Sequence, residues 1–89
     1  MAQKVFIVVS NYSHSSNNSL IISTFSKLNN AVEEFNWCCK CIESDDTLNA
    51  EKNVICDDEK YKFVVYYVPN TKTYMTVQLN TSYIFDALD

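Results

Sequence analysis

The side chains able to do chemistry in this chain are few, and most of them crowd into one stretch. Cys38, Cys39 and Cys41 fall within four residues, Cys56 follows later, and His14 is the single histidine. Thiolates and imidazoles are zinc ligands, so one reading is a thiol or zinc-binding protein using Cys38, Cys39, Cys41 and Cys56. Structural zinc sites place C-x2-4-C pairs on turns, whereas these cysteines lie in a helical pattern. At 100° per residue Cys39 lies about 20° from Leu28, inside an apolar stripe, with Cys38 at its margin. Cys41 points about 140° away from that stripe, so the three do not converge on one ion. The leading expectation is therefore free thiols serving as small apolar side chains, which suits a reducing intracellular compartment. A disulfide to Cys56 and the zinc site are the alternatives; no cofactor is expected.

His14 sits in Ser13-His14-Ser15-Ser16, which superficially suggests serine–histidine catalysis. A triad needs a base held by a third group and an oxyanion hole, and neighbours in one polar turn supply neither. The acidic groups Asp45-Asp46 and Asp57-Asp58-Glu59 read as solvated loops rather than as a cation site or a nucleic-acid mimic. Trp37 stands apart. It lies about 180° from Leu28 on the same wheel, on the outer face of the helix. Either the residues after the helix cover it, or it anchors a partner, as Trp often does at interfaces.

Composition excludes more than it assigns. There is no glycine among the 89 residues, so phosphate-cradling loops, dinucleotide-binding turns, nucleophile elbows and EF-hand loops are absent. All seven basic residues are scattered lysines, and the net charge is −4. Direct nucleic-acid binding is not expected without arginine forks or a basic stripe. The longest apolar runs, residues 5–9 and 63–68, are far below the ~20 residues needed to span a bilayer, and no signal peptide is evident at the N-terminus. With 47% hydrophobic residues the chain should fold, as one domain over residues 1–89. Ten asparagines beside no arginine and no glycine match an AT-rich coding sequence, as in many phages, large DNA viruses and some parasites.

The elements that must position these residues follow from periodicity. Residues 4–12 (KVFIVVSNY) and 20–25 (LIISTF) read as strands joined by a polar loop over 13–19. Leu28, Val32, Phe35, Cys39 and Ile42 recur at spacings of three and four, which predicts a helix capped by Ser26 and ending near Glu43. Residues 61–68 (YKFVVYYV) form a third strand. Pro69 and Asn70 suit the two central positions of a turn, and residues 73–80 (TYMTVQLN) form a fourth strand. The acidic stretch 45–60 is expected to be partly helical or draped over the sheet. The tail from Tyr83 is open between helix and strand. The order β-β-α-β-β implies an α+β fold, a four-stranded antiparallel sheet with one main helix on one face and strand order 2-1-3-4.

The run from Lys4 to Val9, then Thr24-Phe25-Ser26-Lys27-Leu28 and Ala31-Val32-Glu33-Glu34-Phe35, resembles small uncharacterised β-β-α-β-β proteins of phages, bacteria and large DNA viruses. The resemblance covers residues 4–36. It implies the fold and carries over no functional residue.

The expected function is a small non-enzymatic protein-interaction module. Its partner is another protein or a second copy of the chain, with no membrane and no direct nucleic acid. A virion-associated structural component and a host-factor inhibitor are the two versions considered, placed in a host cytoplasm or a virion. The expected binding surface is the sheet face away from the helix. With Met75, Val77 and Leu79 turned to the helix beside Phe63, Val65 and Tyr67, the free face carries Val64, Tyr66, Val68 and Tyr74. Trp37 is the other expected contact.

Overall fold

The computed structural model describes residues 2–14, 17–71 and 73–85. Five strands and one helix follow in the order β1 (Ala2–His14), β2 (Asn17–Phe25), α1 (Leu28–Glu43), β3 (Glu51–Asp57), β4 (Lys62–Tyr67) and β5 (Tyr74–Phe85). The strands make one antiparallel sheet in the order β2-β1-β5-β4-β3. The α+β class and the single helix agree with the sequence. The strand count and the lateral order do not.

The fifth strand is β3, which occupies the middle of the acidic stretch 45–60 that was expected to be partly helical or draped over the sheet. Val54, Ile55 and Cys56 supply enough β-branched, apolar character to pair with β4, and a tight link closes the hairpin through Asp58 N–H donating to the Tyr61 carbonyl at 2.9 Å. The connection from α1 to β3 is a stapled turn. Asp45 Oδ1 accepts from the Thr47 amide (3.1 Å) and hydroxyl (2.6 Å), and Leu48 is buried beneath it. Asn49, at φ 47°, takes the left-handed conformation that asparagine tolerates.

The polar stretch 13–19 is mostly strand: β1 runs to His14 and pairs it with Asn17. The serine–histidine reading rests partly on Ser15 and Ser16, which lie outside the described residues. Tyr83 belongs to β5, while residues 86–89 of the tail lie outside the described residues. The helix begins one residue later than expected, with Lys27 rather than Ser26 at the N-cap and no side chain capping it.

Strand order is corrected by what lies at the centre. β5 alternates between buried Met75, Val77 and Leu79 and polar Thr76, Gln78 and Asn80, and it sits in the middle of the sheet. Alternation reports that one face is covered; it does not report distance from the edge. α1 packs over β1 and β5 and reaches β2. Its buried side chains Ala31, Phe35, Cys39 and Ile42 meet Phe6 and Val8 of β1, Met75, Val77 and Leu79 of β5, and Val64 and Tyr66 of β4.

Candidate functional site

The expected binding face must be redrawn first. Val64, Tyr66 and Val68 lie under the helix and are buried, with Tyr66 at 0% exposure. The residues on the face away from the helix are instead Phe63, Val65 and Tyr67, beside Tyr74 and Thr76. The reason is register. Tyr66 pairs with Met75 and Val64 with Val77, and opposite residues of an antiparallel pair share a face. A turn through Pro69 and Asn70, with Val68 set opposite Thr73, fixes this parity. Val68 N–H donates to the Thr73 carbonyl at 3.2 Å, and Asn70 takes φ 66° inside the turn. That turn was legible in the sequence; its consequence for the face of β4 was missed.

Of the expected contacts, Tyr74 is exposed and stacks at a tilt against Tyr67, with ring centroids 5.1 Å apart. Trp37 is 61% exposed on the outer side of α1. The free face of the sheet is not a continuous apolar patch, because the polar side chains of β5 run down its middle. Gln78 donates there to the Tyr61 hydroxyl (3.2 Å) and to Asn80 (3.3 Å).

Among the described residues, exposed aliphatic side chains stand instead at the two edges of the sheet, with the longer run on β2. Leu20, Ile21 and Ile22 are consecutive and between 57% and 63% exposed. Alternation sends Leu20 and Ile22 to the free face and Ile21 to the helix side. There Ile21 and Ser19 form one wall of a groove of about 260 Å³, and Trp37, Cys38, Cys41 and Ile42 of the helix form the other. No charged residue lines it. Sequence reasoning found Trp37 but missed the groove, since the other wall, Ser19 and Ile21, comes from a strand earlier in the chain.

The cysteines divide around this groove. All four are free; Cys39 is buried in the core, Cys38 is half-buried, and Cys41 is exposed. Burial pushes the Cys38 and Cys39 thiols above their ordinary range, with Glu34 adding to the effect at Cys38. Both therefore stay protonated at neutral pH, a poor state for a nucleophile or a metal ligand. Among the described residues no three His, Cys, Asp or Glu side chains come together to hold a metal ion. Cys56 lies across the molecule on β3, apart from the helical cluster.

One polar network links the core to the surface. The buried Tyr66 hydroxyl donates to the Glu43 carboxylate, and Lys52 Nζ pairs with the same carboxylate at 3.2 Å. The hydrogen bond from Tyr66, followed by Lys52, holds the Glu43 carboxyl below its usual range, against the opposing effect of burial. Burial, and then Glu43, push the Tyr66 phenol far above its own range, so it remains a donor. The arrangement ties the end of α1 to β4 and to the start of β3.

No described helix is long and apolar enough to cross a membrane. Comparison with known proteins finds no family model, no curated protein and no solved structure that matches this chain.

Proposed function

We propose that this chain is a non-enzymatic protein-interaction module whose binding surface is the β2 edge together with the groove between β2 and α1. One observation carries the proposal: three consecutive aliphatic side chains stand exposed on an unpaired strand edge, next to an exposed tryptophan. A strand edge offers free backbone donors and acceptors, and an adjoining apolar groove offers a seat for alternate side chains. Together these are the requirements for binding by strand addition. Trp37 supplies the large amphipathic anchor that such interfaces favour.

The test compares two baits in affinity capture from the native source: the wild-type chain and Ile21→Lys, with equal folding checked by circular dichroism. Ile21 points into the groove and is mostly exposed, so lysine there disturbs the surface and spares the core. Proteins retained by wild type and lost from Ile21→Lys support the reading. Identical retention by both baits contradicts it.

A further inference from the structure

We infer that the occupant of the β2 edge is a second copy of this chain, joined β2 to β2 about a twofold axis into one continuous ten-stranded sheet. The inference rests on the reading of the β2 edge as the binding surface and names its partner.

The first argument is self-complementarity. β2 reads Asn-Asn-Ser-Leu-Ile-Ile-Ser-Thr-Phe, without a charged residue or a proline. A twofold axis perpendicular to the sheet makes the two strands antiparallel and keeps each side chain on its own face. Centred on Ile21, it sets Leu20 opposite the second copy's Ile22, Ser19 opposite its Ser23, and Ile21 opposite itself. Aliphatic meets aliphatic, hydroxyl meets hydroxyl, and no like charges oppose one another. A strongly acidic or basic partner would find no countercharge on this strand.

The second argument is the groove. The same axis leaves both helices on one face of the joined sheet, so the two grooves face each other across the seam. Ile21 of each copy enters the space beside Trp37 and Cys41 of the other. Ile21 and its groove, bare on one chain, are flanked by their own image, while Leu20 and Ile22 gain a neighbour across the seam on the free face.

The third is area. Nine residues at roughly 3.3 Å each make an edge about 30 Å long. Against the molecule's short dimension of 18 Å, this gives on the order of 500 Å² per copy, or about 1,000 Å² in total. That meets the lower bound for a specific interface and predicts a reversible dimer rather than an obligate one.

The opposite edge argues by contrast. β3 also exposes Val54 and Ile55, but its register breaks between Val54 and Cys56, and Glu51, Lys52 and Asp57 flank the pair. A bulge and charges are the devices that stop an edge from pairing.

The experiment uses the purified full chain in reducing buffer, followed by sedimentation and by Trp37 emission from about 1 to 100 µM, a range in which a dimer of this size dissociates on dilution. Trp37 is the only tryptophan, so all tryptophan emission comes from this one side chain on the groove wall. The expected result is a mass rising from 10.3 kDa towards twice that value, with emission moving to shorter wavelength over the same range. Ile21→Lys should abolish both changes. Ile55→Lys, a matched substitution at 56% exposure on β3, should leave both intact. A wild-type chain that stays at monomer mass overturns the inference, as does an Ile21→Lys variant that still dimerises. If the wild type is monomeric while capture of another protein still depends on Ile21, self-pairing fails and the interaction module stands.

Discussion

The two edges of this sheet carry similar apolar residues and differ in almost everything else. β2 has nine residues paired to β1 in continuous register, with no charge in the strand itself, an apolar groove beside Ile21, and a second hollow beside Phe25 bordered by Glu33 and Glu34 of α1. β3 has seven, with a bulge, three flanking charges, and an Asp57–Lys62 ion pair at 2.7 Å across to β4. The grooves on its side are bordered by Lys52, Asp57, Glu59 and Lys62. The lesson is that exposed hydrophobic residues do not by themselves make a binding edge. Val54 and Ile55 are as bare as Ile21, yet the backbone beside them cannot present a straight ladder, and neighbouring charge keeps water there.

The core beneath both edges is shared, and the largest effect is expected there. Phe35 is buried between α1 and the sheet, and Phe35→Ala should cost about 3–5 kcal/mol in urea unfolding, enough to unfold much of so small a domain. Loss of that size would remove both edges together. A mutant melting within a degree or two of wild type would show that α1 does not hold the sheet.

A smaller effect separates the two halves. Tyr66→Phe removes the donor to Glu43 and loosens the tie between α1, β4 and the start of β3, at about 1–2 kcal/mol. Glu43 is held below its usual range in the folded chain. Its contribution is therefore complete above the ordinary glutamate range and is lost as pH falls through the lowered value. Acid unfolding of wild type should show this loss, and Tyr66→Phe should show less of it. The same acid slope in both proteins would mean that the phenol does not stabilise the carboxylate.

The surface variants should barely move stability, by roughly 0.5 kcal/mol or less, while moving association. Ile21→Lys closes the β2 edge. Glu51→Val combined with Asp57→Val strips two charges from β3 and should raise self-association through that edge, though the bulge limits the gain. If the stripped β3 edge associates as readily as wild-type β2, charge alone explains the contrast. No change at all would assign it to the bulge.

How far the sequence could be read follows the same division. The helix was legible because Phe35, Cys39 and Ile42 repeat at its period and all three are buried. So was the turn at Pro69 and Asn70. β3 was not, since three apolar residues among acids carry no period, and only pairing with β4 makes them a strand. The face of β4 was misassigned because Phe63 to Val68 is apolar on both sides, so periodicity is silent and register decides. The proposed binding edge was out of reach for a related reason: Ile21 and Trp37 line one groove only once β2 and α1 are packed together.

The most direct test of the central claim is amide hydrogen exchange, comparing β2 and β3 at low and high protein concentration. Free edge amides exchange quickly and slow when a new strand pairs with them. The account predicts that protection within residues 19–25 rises with concentration while residues 51–57 stay unchanged. Protection that does not change in β2, or that rises in β3 instead, would contradict it.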